Sequence, residues 1–249
     1  LEVLDHCCTA MGSRKLRQWL LRPLLDLGQI RARQDAVAEL AEKGTLRQAL
    51  AALLNRMHDL ERLAGRVGTQ SASPRDLSAL AATLRTLPEL KQILLPAGSG
   101  LLAGLARDLP ECRSVAELLG RALVDQPPLS FKEGGLIRAG YHAQVDELRG
   151  LTQSGRSTSL DSLKVEYNQV FGYYFEVSKA NAKLVPGHYQ RKQTLVNSER
   201  YTTSELQEYE QKVVGAQDQL MALEEELFLD LRRQVGGQLP EIQLAASEI

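Results

Sequence analysis

The sequence predicts a mainly α chain: a helical core with two long antiparallel helices and a small β-containing subdomain inserted at their tip. Three observations predict it. Through residues 1–125 apolar residues recur at three- and four-residue steps, the spacing of amphipathic helices. Between residues 163 and 178 the period changes to two, the spacing of strands. Over residues 206–231 a heptad-type stripe follows, and one apolar seam of that length needs a partner helix to cover it.

The elements follow in order. Leu16, Trp19, Leu20 and Leu24 form one stripe, and Leu46, Leu50, Leu53 and Leu54 another. Ser73-Pro74-Arg75-Asp76 puts proline in a helix's first turn behind a serine able to cap it, opening the helix of Leu77, Leu80, Leu84 and Leu87. Residues 96–100 and 126–128, rich in Pro and Gly, read as loops. A helix is expected from Gly134, with Ile137, Tyr141, Val145 and Leu148 on one face. In LKVEYNQVFGYYFEVS (residues 163–178), Leu163, Val165 and Tyr167 alternate with polar residues, then Tyr173, Phe175 and Val177 do so after a break at Gly172 that suggests a hairpin or bend. A further short strand is expected over residues 193–196. Thr202 with Glu205 reads as a capping box before the stripe of Leu206, Tyr209, Val213, Ala216, Leu220, Leu223, Leu227 and Leu231. The natural partner for that stripe is the helix from Gly134, running the other way.

Composition narrows the function classes. With 43% hydrophobic and 24% charged residues, 249 residues form one large or two modest globular domains. A net charge of −1 carries no global signature of a nucleic-acid binder. Cys7, Cys8 and Cys112 lack metal-type spacing and read as reduced thiols of an intracellular protein. No signal peptide is visible and no apolar run approaches the roughly 20 residues of a membrane span. His58, Asp59 and Glu61 read as a charged helix face on which Asp59 and Arg62 can pair, and no catalytic set is recognisable. The chain starts without methionine and is expected to be an excised fragment.

Four segments resemble the MutS family of DNA mismatch-repair proteins, in the same order and over almost the whole chain. They are MGSRKLRQWLLRPLLD (residues 11–26), DLERLAGRV with SPRDLSAL (59–67, 73–80), LKVEYNQVFGYYFEVSKAN (163–181) and YQRKQTLVNSERYTTSELQEYE (189–210). The resemblance implies a helical core with the outgoing lever helix over 1–143, the lever tip and DNA clamp over 144–203, and the returning lever over 204–249. It implies duplex-DNA clamping and allosteric transmission to a distant ATPase, in the cytoplasm at the nucleoid. The partners implied are double-stranded DNA, a second copy in a homodimer, and MutL, with no membrane. ATP and magnesium belong to the full-length family; no GxxxxGK[ST] occurs here, so no cofactor and no enzymatic activity are expected of this chain. The stretch between Leu151 and Leu163 is shorter than the family pattern by about a dozen residues, or ~18 Å of helix, and residues spliced out of the sequence are the favoured reading. Ser204 and Val196 depart from a usual proline and a usual basic residue.

A sequence-blind clamp needs cations and amides for phosphate. Between residues 183 and 200, Lys183, Arg191, Lys192 and Arg200 outweigh Glu199 by +3, while residues 205–234 carry eight acidic residues against three basic. The tip attracts phosphate and the shaft repels it. The expected backbone contacts are Arg191, Lys192, Asn197 and Arg200, with Lys164, Lys179 and Lys183 secondary; binding should be weak, salt-sensitive and indifferent to sequence. The aromatic cluster is expected to fill a small sheet's core rather than stack on bases. The alternatives are a helical protein–protein scaffold whose β tip binds another protein, and a MutS homologue specialised for recombination.

Overall fold

The computed structural model describes residues 3–154, 165–168 and 172–249. The chain divides into two compact units, Leu1–Arg138 with Glu226–Ile249, and Ala139–Glu225. The fold is mainly α with one small antiparallel sheet.

The first unit contains α1 (Ala10–Leu21), α2 (Leu27–Glu42), α3 (Gly44–Leu54), α4 (Leu60–Gly68), α5 (Pro74–Leu84), α6 (Leu87–Leu94), α7 (Gly100–Asp108), α8 (Arg113–Ala122) and α11 (Leu239–Glu248), together with the end of α10 (Ser204–Gly237). Four of its helices, α1, α2, α4 and α5, start where a side chain satisfies one of the first free amides. The Ser73 hydroxyl accepts from the Asp76 amide, the serine cap expected before Pro74, and the Asp76 carboxylate accepts in return from the Ser73 amide, which completes a capping box. Asp59 caps α4 by accepting from the Arg62 amide. Leu77, Leu80 and Leu84 of α5 and Leu87 of α6 are completely buried, each contributing on the order of 1.5–3 kcal/mol. α5 packs on α8, and α11 on α4. Gly68 permits the second contact, since a Cβ there would sit 3.1 Å from a Leu239 methyl.

Two ties fasten the outer helices. Arg14 of α1 clamps Asp59 through both terminal nitrogens, at 2.8 and 2.7 Å, and also reaches Glu61. The expected Asp59–Arg62 pair is present at 3.3 Å, but Arg14 is the stronger partner and, more than any other group, holds the Asp59 carboxyl below its usual range. Glu39 of α2 accepts from Lys43 and from the amides of Gly98 and Ser99 at the start of α7.

Two features of this region are not what periodicity alone suggests. The stripe on α1 is not core: Trp19 is 39% and Leu20 51% exposed, with Met11 the helix's one buried residue. The helix expected from Gly134 begins instead at Ala143. Gly134, Gly135 and Gly140 hold φ values of 70°, 74° and 82°, the left-handed region that interrupts a helix. Ile137, which fits the helical stripe, forms an antiparallel bridge to Leu123.

The second unit holds α9 (Ala143–Ser154), β1 (Val165–Asn168), β2 (Gly172–Ser178), β3 (Gln190–Thr194), β4 (Ser198–Thr202) and the start of α10. The strand order is β1-β2-β4-β3, antiparallel throughout. The alternation in residues 165–177 is the β1–β2 pair, with Tyr167 opposite Tyr173. The strand expected over residues 193–196 lies over 190–194, and β4 is an additional strand. Tyr173, Phe175 and Leu206 form one buried cluster with Tyr189 against it, so these aromatics are sheet core. The capping assignment shifts by one residue: the Thr203 hydroxyl, not that of Thr202, accepts from the Leu206 amide. The Thr202 hydroxyl is buried with no hydrogen-bond partner. The short stretch that departs from the family pattern falls largely outside the described residues.

Candidate nucleic-acid interface

Sheet register decides where each candidate stands. Ser178, the last residue of β2, is opposite Ser198, the first of β4. Beyond them the Lys179 amide donates to the Asn197 carbonyl at 3.1 Å, so these two candidates share one end of the sheet. The other end of β4, Thr202, leads into α10 through Thr203 alone. Lys179 and Asn197 therefore occupy the end away from that helix, about 17 Å along the strand direction from its junction. Both are exposed, as are Lys183 and Val196 in the neighbouring turns. Among the described residues neither lysine forms an ion pair.

The remaining candidates lie elsewhere. Arg191 is opposite Tyr201, toward the α10 end; its side chain is 61% exposed and 3.6 Å from Glu199. Lys192 occupies the register shift between Arg191 and Gln193 and reaches Glu210 of α10 at 3.8 Å. Arg200 is only 17% exposed and is spoken for within the sheet. It meets Glu176 at 3.3 Å, donates to Gln193 at 2.9 Å, and lies over the Tyr174 ring at 4.3 Å. Lys164 lies outside the described residues.

The acids are arranged to match. Glu176 takes Arg200 and the Ser198 hydroxyl. Glu199 accepts from the Tyr201 hydroxyl, which raises that phenol's pKa. Glu224, counted in the sequence among the acids of a solvated shaft, is completely buried and paired with Arg149. The sequence missed Glu176, Gln193 and Tyr174 as the groups that engage Arg200, because no local signal marks a partner across a sheet.

Among the described residues no group of three His, Cys, Asp or Glu could hold a metal ion. The three cysteines are free, and burial pushes the Cys112 thiol up to about 12. No helix among the described residues is long and apolar enough to cross a membrane.

The comparisons with known proteins agree with the resemblance. The family model "MutS domain III" matches residues 1–249. The chain is similar to the DNA mismatch repair protein MutS of Pelotomaculum thermopropionicum, 45% identical over 262 residues, covering 100% of this chain and 30% of that protein. It is 46% identical over 255 residues to the MutS of Salinibacter ruber, covering 98% and 28%, and 45% identical over 261 to that of Myxococcus xanthus, covering 100% and 29%. The chain thus spans about 30% of the length of these relatives. The 262-residue alignment exceeds the chain's 249 residues, so that relative carries insertions against it. A whole-length family match and relatives above 40% identity leave one conclusion: the chain belongs to the MutS domain III family.

Proposed function

We propose that this chain grips duplex DNA by its phosphates with the free end of its β sheet, and passes that grip along α10 to other parts of a longer mismatch-repair protein. The observation that carries the reading is the sorting of charge. Lys179, Lys183 and Asn197 stand exposed at or beside the end of the sheet away from α10, and Arg191 is exposed along it. Exposed cations and amides that present no shaped pocket read charge and not sequence. Arg200 serves by holding β2, β3 and β4 together beneath that surface. Lys192 ties the sheet to α10, which makes both of them supports of the grip rather than its fingers.

Within the longer protein the partners are a second copy, MutL and mismatched duplex, in the cytoplasm. ATP and magnesium are the business of another region. This sequence has no GxxxxGK[ST], the loop that would cradle a nucleotide's phosphates.

Fluorescence anisotropy with two unrelated duplexes tests the reading. Equal affinities that weaken together as salt rises are expected, and Lys179→Glu with Lys183→Glu should abolish binding. Unchanged DNA crosslinking at residue 183 after those reversals, or after reversal of Arg191, would instead favour a protein-binding scaffold.

A further inference from the structure

Glu224 is the one fully buried charged residue among the described residues. It lies on the buried face of α10, with Leu220 one turn before it and Phe228 one turn after, both buried. Its carboxylate meets the Arg149 guanidinium of α9 at 2.7 Å. Arg149 is 23% exposed and has a second acid, Asp146, at 3.9 Å on its own helix. Asp146 in turn accepts from the Gly140 amide at 2.8 Å, which fixes the start of α9 to the glycine loop before it. Val145 and Leu148 of α9 are buried on the same side.

A stripe of leucines does not by itself choose an axial position. Ala216, Leu220, Phe228 and Leu231 follow one another on this face at steps of a turn or two, so one helix slid along the other by a turn, about 5.4 Å, finds apolar partners again. A buried carboxylate chooses. Slid by one turn, Arg149 would face Leu220 or Phe228, and Glu224 would be left charged and dry, a state far costlier than the lost attraction alone. We propose that the Arg149–Glu224 pair is a register pin. It permits one axial setting of α9 against α10 and turns any slide between them into an all-or-none step rather than a creep. A single polar residue in an apolar helix seam is the best-attested way to fix register, at some cost in stability. The proposal stands on this geometry alone and does not depend on DNA binding.

The test separates register from stability. Nitroxide labels are placed at the exposed positions Gln144 and Ala222 through cysteine substitutions, with Cys7 and Cys8 replaced by serine and the buried Cys112 left in place. Pulsed electron–electron resonance on the parent should give one narrow distance distribution. Arg149→Met alone should lower Tm by roughly 10 °C or more, because it strands a buried charge. Arg149→Met with Glu224→Leu should recover the Tm to the parent value or above. The same double variant should broaden the distance distribution or split it, with a second population several ångström away. A double variant that keeps the parent's single narrow distribution overturns the proposal. So does an Arg149→Met variant that melts within about 2 °C of the parent.

Discussion

Lys179→Ala and Arg200→Gln remove one cation each from the same sheet, yet the structure assigns them different consequences. Each phosphate neutralised by a cation adds about −0.9 to the slope of log K against log salt. If Lys179, Lys183 and Arg191 each meet one phosphate, the slope for the parent is about −2.7, and raising salt from about 50 to about 200 mM weakens binding roughly 40-fold. Lys179→Ala should cut the slope to about −1.8 and the loss to roughly 12-fold. Arg200 is turned into the sheet, against Glu176, Gln193 and the Tyr174 ring. Its replacement should leave the slope at about −2.7, while costing on the order of 1–3 kcal/mol of stability in the sheet by stranding a half-buried carboxylate. The assay is anisotropy of a labelled duplex at four or more salt concentrations, with thermal unfolding of each variant alongside. An Arg200→Gln slope reduced as far as that of Lys179→Ala would refute the reasoning, because it would place the Arg200 guanidinium on phosphate.

Three further outcomes follow from the packing and capping. Thr203→Ala should destabilise the second unit by about 1 kcal/mol through loss of the α10 cap, whereas Thr202→Val should be neutral or stabilising, since the Thr202 hydroxyl is buried without a partner; paired denaturant titrations distinguish them. Glu39, held at about 2 by Lys43 and then by the amides of Gly98 and Ser99, contributes stability in full above its unfolded value of 4.5 and loses it as pH falls toward 2. Glu39→Gln should therefore flatten the fall of the denaturation midpoint across that acid window. Leu80→Ala, at a completely buried position, should cost about 2.7–5 kcal/mol by urea titration.

Much of this was legible in residue order, and the failures have physical causes. Ser73-Pro74 announced α5 because a cap is a local device, satisfied within three residues. Residues 165–177 announced a strand pair because the pleat imposes a period of two on its own side chains. Residues 134–142 misled: Ile137 fits a helical stripe, but positive φ at Gly134, Gly135 and Gly140 outranks periodicity. β4 escaped because SERYT reads as polar, and its charge is neutralised by Glu176, a cross-strand neighbour 24 residues away. The same distance limits the site. Residue types suited to phosphate could be named from the sequence, but which of them are already engaged depends on partners brought by other strands. Arg200 and Lys192 ranked high in the sequence and are committed within the fold, while Lys179 ranked low and stands exposed. Glu224 looked like one more acid on a wet helix because a heptad stripe does not declare which of its flanking positions will be covered.

The junction of β4 and α10 has a mechanical consequence. Thr203 alone separates the strand's last residue from the helix's first. Its side chain is buried and hydrogen-bonded to the Leu206 amide, and Leu206 is packed among the sheet's aromatics. A linker of several residues would let the sheet rock while the helix stayed still. Here there is no slack: a twist applied at the strand arrives as a twist of the helix's first turn, and a residue inserted after Thr203 would decouple the two without removing a single contact from the charged surface.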